Sequence, residues 1–564
     1  MRLSTDPEFD QEVALATIAA AVQAGITVFD TARSYGPGPG EPGHNERLLA
    51  RAIRHSGAQD RARIISKGGM TRAGDAWIPD GRAKALRGDC EASLVALDGL
   101  PIDLYLLHAP DPRTPWRTSI RALGKLVEEG LVRRVGLANI TRGQLDEALD
   151  LAPVAAVQVG LSLFDERARR GGVVERCADA GLVLIAHSPL GGPRRARRLA
   201  ADPVLGGVAE AAGATPAEVA LAWLLGISPT VVAIPGARRP ETARSAARAA
   251  RLNLASGARE ALEARFVMPV LRPAQRRESR DDGEVVLVMG IPGAGKSRVA
   301  NDYADRGYRR LNRDLRGGSL RQLADALDAE LSAGTRRVVL DNTYLTRASR
   351  SYVVEVANRH RVPTRCVWID TSLAQAQVNL VQRLLERFDH LPDPAELRPL
   401  SSSEPGLLMP TSQMRAVREF EAPSIDEGLG GVERVPFART PLTQRSRGVL
   451  MAAGALRQPG WERLLQAADR GVSHLVFDWI PDGSPDALSR EVAALGSLLT
   501  GTVDTRVCPH GAGPPTCWCR PPLPGLPLAF ARARAVDLAR STLIGTGPAH
   551  RTLATTLGAT YVGA

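Results

Sequence analysis

From about residue 10 to residue 265 the chain alternates two hydrophobic rhythms. Stretches whose apolar positions recur every three to four residues, the period of an amphipathic helix, alternate with short apolar runs the length of buried strands. The runs are Thr27–Phe29, Arg63–Ser66, Leu104–Leu107, Val132–Leu137, Ala155–Val159, Val183–Ala186 and Val231–Ile234. A loop and a helical stretch follow each one. Repeated βα units predict parallel pairing, and so many of them favour a closed (β/α)8 TIM barrel over an open sheet. Only Met1–Thr5 precede the first helix, expected to start near Asp10, so the first strand of such a barrel is expected to be missing. A start codon placed too late is the favoured reason over a barrel that is open at its first position.

A polar linker, Arg272–Gly283, separates this pattern from a second α/β region, which opens on the strand Glu284–Met289 and runs to about Arg439. A last α/β region carries strands at Gly448–Met451, at Leu475–Phe477 and near Ser541–Ile544. The expected domains are therefore 1–268, 284–440 and 445–564. Apolar residues make up 44% of the 564 and charged residues 24%, ample for packed cores, which excludes a fibrous, collagen-like or wholly disordered chain. No apolar run approaches the ~20 residues of a membrane span. Asp6, Glu8, Asp10 and Glu12 are out of place in a signal peptide. A cytoplasmic protein with no membrane partner is expected; the oligomeric state is left open.

Charge adds one sharp feature. Lysine and arginine total 72, yet only Lys67, Lys84, Lys125 and Lys296 are lysines. The net charge of +11 follows from an arginine-rich composition and does not by itself indicate a nucleic-acid partner. Where arginine replaces lysine almost everywhere, each surviving lysine needs a chemical reason.

Active sites of βα barrels lie at the carboxyl ends of the strands. The residues there are Asp30, Lys67 and His108, with Tyr35 in the loop after Asp30. A phenol is a poor acid at neutral pH. An adjacent ammonium stabilises its phenolate, a carboxylate holds the ammonium, and an imidazole orients a carbonyl oxygen. The compact charge of lysine suits that contact better than an arginine fork. The surrounding segments Phe29-Asp30-Thr31-Ala32, Ser34-Tyr35-Gly36, Ile65-Ser66-Lys67 and Leu106-Leu107-His108 resemble the aldo-keto reductases. Further on, Gly136–Asn139, Gln158, Ser188–Gly191 and Ile234–Arg239 match in order. The resemblance implies NADPH-dependent reduction of a small carbonyl substrate. By it, Asn139 and Gln158 hold the carboxamide, Ser188 and Leu190 the pyrophosphate region, and Arg238 and Arg239 a 2′-phosphate.

Gly290-Ile291-Pro292-Gly293-Ala294-Gly295-Lys296-Ser297 follows a strand and opens a helix, the setting a Walker A loop requires. Gly290, Gly293 and Gly295 let backbone amides wrap phosphates, Lys296 neutralises the β- and γ-oxygens of ATP, and Ser297 ligates Mg²⁺. Lys84 and Lys125 read as surface charge on barrel helices. The triplet Asn312-Arg313-Asp314, the strand end Val338–Thr343, and Asn379, Arg383 and Arg387 at four-residue spacing resemble polynucleotide 5′-kinases. That resemblance covers about 284–440. It implies Asp314 as general base, Arg383 or Arg387 as a lid arginine and Asp341 as a substrate contact.

Cys508-Pro509-His510 and Cys517-Trp518-Cys519 give four soft or borderline ligands, two short pairs joined by a Gly/Pro loop, as a closed tetrahedral Zn²⁺ site needs. With Cys519–Gly525, the pattern resembles the zinc-bearing haloacid-dehalogenase-type (HAD-like) phosphatases. That resemblance implies two aspartates after the first strand, a phosphate-binding lysine and an acidic Mg²⁺ motif. Here those positions read Ala452–Leu456, Pro521 and Gly545–His550. An alanine cannot attack phosphorus, so the region is expected to be a non-catalytic HAD-like relic, with Asp478 the lone acid near a strand end. The combined expectation is a carbonyl reductase fused to a kinase acting on 5′-OH RNA or DNA ends. Two alternatives stay open: a metabolic reductase joined to a small-molecule kinase, and an NADPH-sensing barrel that regulates a nucleic-acid kinase.

Overall fold

A computed structural model describes residues 3–5, 9–38, 40–73, 76–196, 198–266, 283–404, 406–437, 446–461, 463–464, 471–481, 483, 485–493, 499–513 and 515–564. The chain divides into two compact units, Met1–Leu271 and Arg272–Ala564. The expected linker, Gly283 excepted, lies outside the described residues.

The first unit contains β1 (Val28–Asp30), β2 (Arg63–Gly68), β3 (Met70–Ala73), β4 (Ala76–Pro79), β5 (Leu104–Leu107), β6 (Val135–Ala138), β7 (Val154–Gly160), β8 (Val183–His187) and β9 (Val231–Ile234). Seven of them form one sheet in the order β1-β2-β5-β6-β7-β8-β9, parallel at every step. Alternate residues along each strand face opposite ways. Ile64, Tyr105, Leu107, Leu137, Val157 and Leu184 pack in the large core shared with the helices. Ile65, Leu106, Ala138, Ala156 and Ile185 form a smaller core of their own, the barrel interior. β3 and β4 make a separate antiparallel hairpin that the hydrophobic pattern does not predict.

Among the described residues no strand pairs with the free edges of β1 and β9, so the barrel is nearly closed, with one open seam. The helices Gln11–Gln23 and Pro240–Ala249 pack together beside it. A cavity of about 690 Å³ remains, lined by Val28, Val232, Ala233, Ala21, Ala243 and Ala247 among others. Asp10 caps the first helix, accepting from the amides of Glu12 (2.8 Å) and Val13 (3.1 Å), and the helix starts where the sequence places it.

In the second unit β10 (Glu284–Met289), β11 (Arg309–Asn312), β12 (Arg337–Asp341), β13 (Thr364–Asp370) and β14 (Gly431–Pro436) form a parallel sheet ordered β11-β12-β10-β13-β14. A second parallel sheet, β17-β16-β15-β18-β19, uses β15 (Gly448–Ala452), β16 (Ser473–Trp479), β17 (Val503–Cys508), β18 (Thr542–Gly545) and β19 (Thr560–Gly563). The sheets are separate but the cores are not. Val378, Val381 and Leu384, from the helix Leu373–Phe388, bury in one cluster with Leu450, Phe477, Trp518 and Phe530. The boundary expected near residue 440 therefore divides two sheets that share an apolar core. Among the described residues no single helix is long and apolar enough to cross a membrane.

Candidate active sites and metal centre

The barrel site is built on strand ends. β1 ends at Asp30, Lys67 is the penultimate residue of β2, and His108 follows β5. Lys67 Nζ donates to Asp30 Oδ1 (2.7 Å) and Oδ2 (2.6 Å) and to the Thr31 carbonyl (2.8 Å). Its ammonium lies 5.3 Å from the centre of the Tyr35 ring. Burial works against both charges. The pair overcomes it, so the Lys67 pKa is raised by Asp30 and Tyr35, and the Asp30 pKa is lowered by Lys67. The His108 ring stands 5.7 Å from Tyr35, edge to face, with its Nδ1 3.4 Å from Ser34 Oγ. The four residues foreseen as a catalytic group are thus brought together.

Two neighbours were not foreseen. Trp77, on β4, stacks its ring 6.0 Å from Tyr35 and 6.1 Å from His108, and so walls the site. Arg72, on β3, lies 5.2 Å over that indole and donates to the Gly36 carbonyl at 2.9 Å. The only sequence signal for this wall is a tryptophan in a chain that is 4% aromatic. His187, at the end of β8, is the second. Asn139 Nδ2 donates to the His108 carbonyl (2.9 Å), so Asn139 Oδ1 is the acceptor for His187 Nε2 at 2.9 Å. The proton therefore sits on Nε2, and burial and Lys67 lower the His187 pKa, which keeps the ring neutral. The residue directly before Ser188-Pro189 was its only flag.

Gln158 lies in the floor of the site, its amide donating to Asp30 Oδ1 at 2.8 Å. Asn139 (φ 57°) and Ser188 (φ 51°) hold left-handed backbone conformations that cost a non-glycine residue of the order of 1 kcal/mol. Such strain at two strand ends marks a place where backbone direction matters more than stability. Leu190 is half-buried beside them, and Arg238 and Arg239 are exposed just beyond β9. These residues suit a dinucleotide: polar groups at the strand ends for the nicotinamide and two guanidinium groups for a phosphate.

The second site opens where β10 meets the helix Lys296–Asp305. A side chain at Gly293 would stand 2.4 Å from the Ala376 carbonyl oxygen, and Gly295 caps the helix at φ 93°. Three loop carbonyls are engaged from outside: Pro292 by Gln413 Nε2 (3.1 Å), Gly293 by Asn379 Nδ2 (2.8 Å) and Ala294 by Thr371 Oγ1 (2.9 Å). Carbonyls held this way leave amides for an anion. Lys296 Nζ donates to the Gly290 and Ile291 carbonyls, each at 3.0 Å. Burial pushes its pKa down to about 8 despite Asp341 and Asp314, and Arg383 adds to the depression. Ser297 is exposed in the first helical turn.

Asp341 is buried, bonded by Asn312 Nδ2 (3.0 Å) and ion-paired with Arg310. Next to it, Asn342 Nδ2 is buried without a hydrogen-bond partner among the described residues. Asp314 is half-exposed on the short helix after β11. Of the two candidates for a lid arginine, Arg383 is the one whose charge Lys296 feels, whereas Arg387 pairs with Glu404.

In the last region the donor atoms of Cys508, His510, Cys517 and Cys519 all lie within 4.8 Å of one another. Cys508 Sγ is 3.6 Å from Cys517 Sγ and 3.2 Å from Cys519 Sγ, and His510 Nδ1 is 3.1 Å from Cys519 Sγ. Four ligands at Zn²⁺ bond lengths stand about 3.5–3.8 Å apart, so the set fits a tetrahedral zinc. The strand order reverses between β15 and β18, where a side chain at Gly454 would stand 3.2 Å from Thr546 Oγ1. Asp478 is turned to the Trp479 amide and to Arg457.

A (β/α)8-like barrel with an Asp–Lys–Tyr–His group at its strand ends defines a class of protein, and sequence comparison names it. Residues 1–264 match the aldo/keto reductase family, and residues 285–397 match an AAA domain. The chain is 31% identical over 253 residues to an uncharacterized oxidoreductase of Schizosaccharomyces pombe, covering 44% of this chain and 78% of that protein. An aldo-keto reductase of Glycine max is 31% identical over 261 residues, 41% of this chain and 72% of the relative. An aldo-keto reductase structure from Klebsiella pneumoniae in complex with NADPH is 27% identical, covers 47% of this chain and 90% of its own, and superposes with a TM-score of 0.41. The chain belongs to the aldo/keto reductase family and carries a second, P-loop-bearing domain.

Proposed function

We propose that the barrel reduces an aldehyde or ketone with NADPH. The Lys67 ammonium clamped between Asp30 and Tyr35 at the barrel mouth carries this reading. NADPH, when bound, supplies the hydride. The Tyr35 hydroxyl gives a proton to the carbonyl oxygen, Lys67 stabilises the phenolate left behind, and His108 orients that oxygen. Asn139 and Gln158 hold the carboxamide, Ser188 and Leu190 the pyrophosphate region, and Arg238 and Arg239 a 2′-phosphate. Loss of NADPH absorbance over a carbonyl panel tests this; an inert panel with NADPH still bound indicates a sensor instead.

The P-loop domain is a phosphotransferase in this reading, moving the γ-phosphate of ATP to the 5′-hydroxyl of RNA or DNA. Asp314 removes the hydroxyl proton, Lys296 and Arg383 balance charge on the transferring group, and Asp341 contacts the acceptor. Ser297 would hold Mg²⁺, which screens the phosphate oxygens. The third region is a HAD-like frame without its acids, retaining a Zn²⁺ site. A γ-labelled ATP transfer assay compares 5′-OH oligonucleotides with small alcohols. Label on oligonucleotides, abolished by Asp314→Asn with ATP binding spared, is expected. Label only on small alcohols sinks the nucleic-acid reading.

A further inference from the structure

The P-loop is held by elements remote in the chain, and one of them leads to the cysteine cluster. Gln413, fully buried on the helix Pro410–Arg418, donates to Pro292. One residue before that helix's cap, the Leu408 carbonyl accepts from Trp518 Nε1 at 2.9 Å. Trp518 is fully buried and lies between the donors Cys517 and Cys519. Leu407 and Met409 pack in one cluster with Cys517, Trp518 and Cys519. The helix that carries Asn379, the ligand of the Gly293 carbonyl, buries Val378 and Val381 in the same cluster.

We propose that the Cys508–His510–Cys517–Cys519 centre, when it holds zinc, braces the nucleotide-binding loop through Trp518, Leu408 and Gln413. The metal fixes the Cys517–Cys519 turn, the indole fixes the start of the Pro410–Arg418 helix, and Gln413 fixes Pro292. A region without catalytic acids thereby sets ATP affinity, since a loop ordered in advance loses less entropy on binding. The inference rests on reading Gly290–Ser297 as an ATP site and the four donors as a zinc site.

The test uses the full-length protein, its metal content by mass spectrometry and its affinity for a non-hydrolysable ATP analogue by calorimetry. Trp518→Phe keeps the buried ring and removes the N–H, and Gln413→Ala breaks the link far from the metal. Each is expected to weaken binding about fivefold, the effect of one lost hydrogen bond. The double variant should lose no more than either single one. Stripping zinc by chelation should weaken the wild type to the same extent, reversibly, and leave Gln413→Ala unaffected. NADPH affinity of the same samples, unchanged throughout, reports an intact first unit, and an unchanged thermal unfolding transition of the second unit reports that the unit carrying the substitutions is folded. Multiplicative losses in the double variant, or wild-type affinity indifferent to zinc removal, overturn the brace while leaving both site readings standing. A wild type that binds no ATP analogue, or takes up no zinc, overturns the corresponding site reading and the brace with it.

Discussion

Replacing Lys67 by methionine separates what the buried ion pair does for stability from what it does for chemistry. Lys67 and Asp30 are 1% and 5% exposed, and the ammonium makes three bonds of 2.6–2.8 Å. Removing it strands the Asp30 carboxylate with the Gln158 amide. Orphaning one member of a buried pair costs ~3–5 kcal/mol, while replacing both by neutral groups is roughly neutral. At a few degrees per kcal/mol for a unit of this size, Lys67→Met should lower the first unit's melting temperature by roughly 10 °C. The pH dependence gives the sign. In the wild type the lowered Asp30 pKa contributes stability above the ordinary carboxylate range, lost only as pH falls through the lowered value. The raised Lys67 pKa contributes stability below the ordinary lysine range, lost only as pH rises through the raised value. Between them the pair is insensitive to pH. Without Lys67, burial raises the Asp30 pKa, so the variant's deficit should shrink as pH falls toward about 5. Asp30→Asn with Lys67→Met should regain most of the loss and show no such trend. Scanning calorimetry at several pH values measures all of this, and NADPH turnover should be absent from both variants. Equal melting temperatures for single and double variants at neutral pH, or a deficit independent of pH, would refute the reasoning.

Two further outcomes follow from named contacts. With its pKa depressed to about 8, Lys296 in the empty site loses its proton as pH rises through 8, so phosphate binding above that pH must take one up. ATP affinity should therefore fall about tenfold per pH unit above 8, with proton uptake visible as buffer-dependent calorimetric heat; Lys296→Met should bind weakly with no pH trend. Trp77→Ala removes the wall 6.0 Å from Tyr35 without touching the Lys67–Asp30 pair. It should raise KM for bulky carbonyls about tenfold with a smaller change in kcat, measured by steady-state NADPH oxidation.

All seven sheet strands of the barrel are legible in the sequence, because a strand buried on both faces is a continuous apolar run. Their ends are less so. Val132 extends the apolar run expected at β6, yet pairing with Tyr105 begins only at Val135. The β3–β4 hairpin escapes the reading because its strands are four residues each and mix Thr71 and Arg72 with apolar neighbours. The Asp30–Tyr35–Lys67–His108 group is legible because its members recur at or just after successive strand ends. Gln158 bonding Asp30, and His187 bonding Asn139, are not, since each contact depends on closure across the barrel rather than on local pattern. Gln413 reaching Pro292 spans 121 residues, and no periodicity encodes it.

The open seam falls between β1, which carries Asp30 of the proposed reactive group, and β9, which leads to the two arginines proposed for the 2′-phosphate. β1 ends at Asp30, and Arg238 and Arg239 follow β9. The seam exposes the edge valines Val28 and Val232 to 47% and 42% and, among the described residues, leaves two strand edges without ladder partners. The chemistry side does not depend on that edge. Asp30 is held by Lys67 from β2 and by Gln158 from β7, on the far side of the interior, so these bonds tie β1 across the barrel. Among the described residues no strand pairing joins β1 to β9. Loosening at the seam should therefore reach Arg238 and Arg239 before it reaches Tyr35, which in the proposed reading weakens cofactor affinity while the Asp30–Tyr35–Lys67–His108 group keeps its shape. The polar cluster at the mouth is thus both the proposed reactive centre and the strut that ties β1 to the rest of the barrel.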